Sequence, residues 1–204
     1  MKKATKILSL ILSIAIAACL FTGCGEKTGD NGSAKKPSHT VVISVENYGD
    51  ITLALYEDYA PETVANFVKL AEEGFYDNTI FHRISKGFMI QGGGFSADNP
   101  DVQKQADTIT GEFTSNGFTQ NTISHKRGII SMARTSIPDS ASSQFFICDA
   151  DSTFLDGNYA AFGVVTEGME VVDKIASCEV TYNEAEGANT LPVVYPVIKT
   201  ITVK

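Results

Sequence analysis

The chain has only three histidines among its 204 residues, and His39, His82 and His125 stand far apart, none with a Cys, Glu or His at ligand spacing. A metal centre needs several such donors brought together, so no metal and no other cofactor is expected. Of the four cysteines, Cys19 and Cys24 lie in or beside an apolar leader, which leaves Cys148 and Cys178. Two thiols are no disulfide framework. Cys148 ends an apolar run and Cys178 a helical pattern, so both read as buried thiols, with a pairing left open because sequence does not supply its geometry. Basic residues are scarce too, 16 Lys and Arg against 24 Asp and Glu. The only charges before Cys24 are Lys2, Lys3 and Lys6, so from Cys24 onward 13 basic residues remain and the net charge is −11. Phosphate recognition needs a concentrated basic face, whereas these residues are scattered singly, which argues against nucleic acid. No apolar run approaches the roughly 20 residues of a membrane-spanning helix. No Gly-x-Ser-x-Gly occurs, and Gly92-Gly93-Gly94 lacks the following helix that a phosphate-cradling loop needs. No internal repeat is present.

What is there has an ordinary globular composition, 43% hydrophobic and 20% charged, and the length suits one folded domain. The first residues follow a three-part export pattern: lysines, an apolar stretch over 7–20, and small residues before Cys24. Phe21-Thr22-Gly23-Cys24 resembles the lipobox of bacterial lipoproteins, with Phe where Leu is commoner. That resemblance implies a lipoprotein signal peptide over 1–23 and lipidation of Cys24 as the new first residue. Two or more acyl chains give a stable anchor where one binds marginally. Gly, Lys, Ser and Asn dominate the stretch that follows, so 24–38 reads as the lipidated cysteine and a flexible linker with a reach of about 20 Å. The expected location is extracytoplasmic, membrane-anchored through Cys24, with the folded domain over 39–204.

Within that domain Val41, Ile43 and Val45 alternate with Val42, Ser44 and Glu46, a half-buried strand. After a turn at Tyr48-Gly49-Asp50, Ile51, Leu53 and Leu55 repeat the period of two, which predicts an antiparallel hairpin. The period then shifts toward 3.6. Val64, Phe67, Val68 and Ala71 make one stripe, with Pro61 suited to the first helical position, Glu62 to the positive end of the dipole and Gly74 to the stop. Short strand-like runs follow at 79–84, 88–91, 128–133, 144–148 and 160–165. A second helix is expected over about 167–177, with Met169, Val172, Ile175 and Ala176 as its stripe, and a last strand over 197–203. Between 94 and 126 periodicity fades into polar residues, and such long loops in compact domains are usually functional or mobile. The polar stretch 181–191 reads as a surface loop. Many short strands with two helices predict a mainly β fold, a closed or nearly closed antiparallel sheet with the helices over its openings.

The remaining chemistry sits in Phe81-His82-Arg83-Ile84-Ser85-Lys86-Gly87-Phe88-Met89-Ile90-Gln91-Gly92-Gly93, Ser143-Gln144-Phe145-Phe146-Ile147 and Phe154-Leu155-Asp156-Gly157. Together with Pro61-Glu62-Thr63-Val64-Ala65-Asn66-Phe67 and Ile129-Ile130-Ser131-Met132-Ala133-Arg134, these resemble the cyclophilin family of peptidyl-prolyl cis/trans isomerases, and the resemblance runs from His39 onward. It implies a closed antiparallel eight-stranded barrel capped by two α-helices, and an enzyme that turns the peptide bond before proline. It also implies Arg83 and Gln91 as catalytic positions. Phe88, Met89, Ala133, Arg134, Gln144, Phe146, Phe154, Leu155 and Tyr159 are the implied substrate-binding positions. Strand periodicity agrees, placing Met89 with Gln91, and Gln144 with Phe146, on common faces. Without the resemblance the Phe and Met residues would read as plain core. Phe154 stands where the eukaryotic archetype has Trp, Tyr159 where it has His, and Arg134 where it has Asn. The family's Asn holds substrate largely through its backbone, so these departures, similar to the bacterial branch, imply altered ligand preference rather than lost catalysis.

The expected partners are proline-containing polypeptides and, through the lipid, a membrane. Nucleic acid is not expected, and the chain is expected to act as a monomer. The resemblance implies isomerisation of X-Pro bonds in exported proteins, assisting their folding. Two other readings stay open. One is a catalytically weak proline-binding chaperone or interaction module at the membrane surface, against which stands Arg83, a residue that binding alone does not require. The other is a lipoprotein barrel carrying a small ligand, against which stand the bulky Phe and Ile residues that would fill a small barrel.

Overall fold

The computed structural model describes residues 36–204; the signal peptide, Cys24 and the linker through residue 35 lie outside the described residues. The chain enters on β1 (His39–Val45), which pairs antiparallel with β2 (Gly49–Leu55), Val45 standing opposite Gly49. The expected alternation holds, since Val41, Ile43, Val45, Ile51, Leu53 and Leu55 are all buried.

Helix α1 (Pro61–Glu72) begins with Pro61 and buries Val64, Phe67, Leu70 and Ala71. Ala60 before it has no side chain to cap the free N–H groups. They are satisfied from far along the chain, where the buried Glu112 accepts the Glu62 N–H at 3.0 Å and the Thr63 N–H at 2.8 Å. A carboxylate there meets both the unpaired donors and the positive end of the helix dipole. At the other end Gly74 takes φ 68, and the N–H groups of Gly74 and Phe75 turn back to the carbonyls of Ala71 and Leu70. That turn needs a residue free to adopt the left-handed conformation.

The remaining strands are β3 (Thr79–Ser85), β4 (Met89–Ser96), β5 (Asn99–Gln103), β6 (Ile129–Met132), β7 (Phe145–Cys148), β8 (Ala161–Glu167), β9 (Val180–Asn183), β10 (Ala188–Pro192) and β11 (Val197–Val203), with α2 (Met169–Ala176) after β8. The sheet runs β3-β11-β1-β2-β8-β6-β7-β4, and pairing of β3 with β4 closes it into an eight-stranded antiparallel barrel. Strand β5 is appended to the end of β4. Phe67 from α1 enters an aromatic cluster with Tyr76, Phe145 and Phe162, at ring separations of 5.2 to 5.5 Å. The four rings are fully buried, so the barrel is filled by its own side chains. From α2, Val171, Val172, Ile175 and Ala176 are buried.

Two expectations are corrected. The stretch 181–191 is not a loop: β9 and β10 form a hairpin, turning through Asn183 and Gly187, and β10 packs against β3. Only Thr190 and Pro192 of its strand residues are buried, and neither is a large apolar side chain, so no hydrophobic alternation betrays it. The segment between 94 and 126 is more than a polar connection, since it supplies β5, a 3₁₀ turn at Thr114–Asn116 and the buried residues Ile109, Glu112, Phe113, Asn121 and His125. Cys148 and Cys178 are free thiols, the first buried and the second half-buried. Burial raises both, Cys148 up to about 12.

Candidate active site

A bulge sets the arginine in place. Across β3 and β4, Phe81 faces Gly92 and Arg83 faces Gln91, so two steps on β3 match one on β4 and His82 is the extra residue. Phe81 and Ile84 are buried in the core, while His82 and Arg83 between them are only half-buried. An ordinary strand would send Arg83 to the same face as Phe81; the bulge re-aims it.

Opposite it, Gln91 accepts a hydrogen bond from Arg83 Nη1 at 3.3 Å and donates through Nε2 to Gln144 Oε1 at 2.9 Å. Nη1 also lies 3.8 Å from Met89 Sδ. The Gln144 side chain lies over Gly94, where any Cβ would collide with it. Glycine is therefore required at that position for the glutamine chain to lie flat on the sheet.

These groups rim a pocket of about 120 Å³. Arg83, Phe88, Met89 and Gln91 come from β3, β4 and their turn, Ala133 and Arg134 follow β6, Phe146 lies on β7, and Leu155 and Tyr159 precede β8. The floor is a small apolar cluster of Met89, Phe146, Cys148 and Leu155, distinct from the barrel interior, with Phe88, Ala133 and Tyr159 packed on it. Tyr159 meets the Phe146 ring edge-on at 5.9 Å. The Arg134 guanidinium lies over Tyr159 and Phe113, at 4.6 and 5.0 Å, and donates to the carbonyls of Asn158 and Thr135. It is thus a fixed piece of wall.

Nine of the eleven positions singled out from the sequence line this pocket. Gln144 faces an adjoining polar recess of about 140 Å³, with Gln103, Thr135, Ser140 and Ser142. Phe154 lines neither; it is 70% exposed and lies against Phe88 with ring centres 5.5 Å apart.

Sequence reasoning missed what lies behind and beside the pocket. Glu186, from the β9–β10 hairpin, accepts from Arg83 Nε at 2.6 Å through Oε2 and pairs with it through Oε1 as well. It stands 103 residues away in a stretch with no apolar pattern, so no local signal points to it. His82, beside Arg83, packs on Phe95 at 4.6 Å, and its Nδ1 has no hydrogen-bond partner among the described residues. Burial, aided by the Arg83 charge, pushes its imidazole down to about 4.

Beneath Phe146, His125 Nδ1 lies 2.9 Å from Asp156 Oδ1 and its Nε2 3.0 Å from Ser131 Oγ. The constellation has the residue types of a hydrolytic triad, but His125 and Ser131 are fully buried, so no substrate reaches the hydroxyl. It fixes the loop bearing Leu155 under the pocket: the His125 N–H also donates to Asp156, and the imidazole stacks on Phe146. Burial holds His125 below its ordinary value. Burial alone would raise the Asp156 carboxyl, but the His125 N–H, the Ser124 hydroxyl and the imidazole hold it below its usual range. Among the described residues no three His, Cys, Asp or Glu side chains converge on a metal-sized site.

Comparison with known proteins covers the same folded domain. The family model described as cyclophilin type peptidyl-prolyl cis-trans isomerase/CLD matches residues 40–201. Peptidyl-prolyl cis-trans isomerase A of Dickeya dadantii is 47% identical over 151 residues, covering 69% of this chain and 73% of that protein. Peptidyl-prolyl cis-trans isomerase B of Escherichia coli is 45% identical over 137 residues, covering 63% of this chain and 79% of that one. A solved structure of a cyclophilin type peptidyl-prolyl cis-trans isomerase from Cryptosporidium parvum, obtained in the presence of the dipeptide Ala-Pro, is similar at a TM-score of 0.66 and 30% identity, over 81% of this chain and 98% of that chain.

Proposed function

The chain belongs to the cyclophilin family of peptidyl-prolyl cis/trans isomerases, and from that membership we propose that it acts on X-Pro bonds of exported polypeptides, assisting their folding, while tethered to a membrane by lipid at Cys24. The exported client class and the tether are supported by the leader and the lipobox-like Phe21-Thr22-Gly23-Cys24.

The reaction requires rotation about an amide bond that resonance keeps planar, over a barrier of about 18 to 20 kcal/mol. Uncatalysed exchange takes tens to hundreds of seconds. In the twisted state the prolyl nitrogen regains its lone pair, so a donor aimed at that nitrogen binds the transition state better than either planar state. The observation that carries the reading is a guanidinium, Arg83, bonded to Gln91 at the rim of a pocket of about 120 Å³ with an apolar floor. In this reading Met89, Phe146 and Leu155 grip the ring, Phe88 and the exposed Phe154 extend the platform, and Gln91 orients the donor. The backbone of Ala133 and Arg134 lines the path of the peptide. Lowering the barrier by about 7 kcal/mol gives about 10⁵-fold acceleration. No covalent step is needed.

The test is exchange spectroscopy by NMR on a short proline peptide such as Ala-Ala-Pro-Phe, with the full chain held in detergent micelles. Exchange between cis and trans signals is expected at catalytic amounts of protein. Equal exchange with and without protein would reduce the pocket to a proline-holding module.

A further inference from the structure

We infer that Glu186 is a positioning residue for catalysis: from the β9–β10 hairpin it holds the Nε edge of Arg83, so that the guanidinium presents its remaining donors to the prolyl bond. The inference rests on the isomerase reading and adds to it a segment that lies outside the pocket.

The geometry is that of a group held from two sides. Arg83 Nε donates to Glu186 at 2.6 Å, and Nη1 donates to Gln91 at 3.3 Å. The first is short and charge-assisted, the second at the long limit of an N–H···O bond, so the carboxylate fixes the guanidinium more firmly than the amide does. With Nε and Nη1 engaged, Nη2 has no partner among the described residues, which leaves it for substrate. A planar fork fixed at one weak contact would swing about its own chain. Fixed on two edges, it has one orientation.

Glu186 is itself fixed. Its Oε2 accepts the Thr190 hydroxyl at 3.0 Å, and Thr190 is buried. The turn that carries it is tied to Asn183, whose side chain accepts the Ala185 N–H at 3.0 Å and whose carbonyl accepts the N–H groups of Glu186 and Gly187. Gly187 closes that turn at φ 66. β10 then packs against β3, the strand that bears Arg83. His82, the other titratable neighbour of the pair, is kept neutral by burial and does not compete for the carboxylate. Both partners are rather more than a quarter exposed, and ion pairs so placed add little to fold stability. Their effect is expected in turnover.

The test compares Glu186→Ala, Glu186→Gln and Arg83→Ala, singly and with Glu186→Ala and Arg83→Ala combined, in the full chain in detergent micelles with the same proline peptide. Glu186→Ala is expected to lower kcat about tenfold, as misplacement of a catalytic group does, while KM stays within about twofold. Glu186→Gln keeps a neutral acceptor at the same reach and is expected to recover most of the loss. Because Glu186 acts through Arg83, the two alanine losses are expected not to multiply in the double variant. A kcat for Glu186→Ala at or above wild type, or losses that multiply fully, overturns the inference. Absence of exchange with the wild-type chain overturns instead the isomerase reading on which it stands.

Discussion

Arg83 and Gln91 face each other across β3 and β4, and the guanidinium reaches the amide oxygen at 3.3 Å. The apolar floor beneath them, Met89, Phe146 and Leu155, packs as its own cluster and meets the pair at Met89 Sδ, 3.8 Å from Arg83 Nη1. Grip and rotation are therefore separable by mutation.

Arg83→Ala is expected to keep the fold and most of the affinity for proline peptides, because the floor is untouched. A donor acting chiefly in the transition state is worth about 2.7 to 4 kcal/mol, so the catalysed exchange rate is expected to fall about 10² to 10³-fold. Arg83→Lys should rescue little, since an ammonium lacks the planar fork that Gln91 and Glu186 hold on two edges. Circular dichroism checks folding and NMR exchange checks the rate. A folded alanine variant at wild-type rate would assign the acceleration to distortion of the bond by the apolar pocket.

Cyclosporin, the inhibitor of the family, is expected to bind weakly. Phe154 stands out on the surface against Phe88 and has no N–H to donate where the sensitive members have an indole. Phe154→Trp should tighten binding, measured by titration of both proteins. Equal affinities would shift control of the site to Arg134 and the polar recess beside Gln144.

Stability is expected to fall on mild acidification. His82 is pushed down to about 4 from an ordinary 6.5, and His125 is lowered too. Above pH 6.5 both are neutral whether the chain is folded or not. Between 6.5 and about 4 the unfolded chain takes up a proton that folded His82 refuses, so stability drops as pH falls through that window; below it the His82 contribution levels off, and the lowered carboxyl of Asp156 continues the loss. The depression corresponds to about 3 kcal/mol for His82. Urea midpoints across that range should shift accordingly, and His82→Gln should flatten the profile, leaving the slope that belongs to His125. An unchanged profile would mean that His82 protonates in the folded protein.

Cys24→Ser should abolish lipid attachment and leave the isomerase rate of the expressed protein unchanged. Washed membranes carrying as much of the variant as of the wild type would rule out the anchor.

The barrel was legible because most of its strands bury one face. Val41, Ile43 and Val45 against Ile51, Leu53 and Leu55 announce a hairpin, and Pro61 and Gly74 bracket α1 at the two ends that physical chemistry assigns them. Where burial gives no rhythm, pattern fails. β5 contains Pro100 and is nearly all exposed, and β9 and β10 bury only Thr190 and Pro192. Most of the site was legible from its motifs, since Met89, Gln91 and Phe146 sit on paired strands whose alternation points them outward together. A motif names a position without saying how exposed it is, and Phe154 stands 70% exposed beside the pocket that most of the other motif residues line. Glu112 on α1 and Glu186 on Arg83 act across 49 or more residues. Contacts of that kind are made by the fold and leave no trace in local spacing.

The position of β11 governs how the barrel closes as the chain is made. It lies between β1 and β3, and the Lys204 N–H reaches the Thr40 carbonyl at 2.9 Å, so the first and last of the described strands are neighbours. A chain that emerges from a ribosome or a translocation channel N-terminus first presents β11 last. Until those seven residues arrive, β1 and β3 each carry an unpaired edge, open to pairing with any other extended chain. Closure joins segments at nearly the greatest separation the domain allows, and such pairings form slowly. Until β11 has emerged, a barrel of this family is thus an open sheet, itself a client for the protection that folding proteins need.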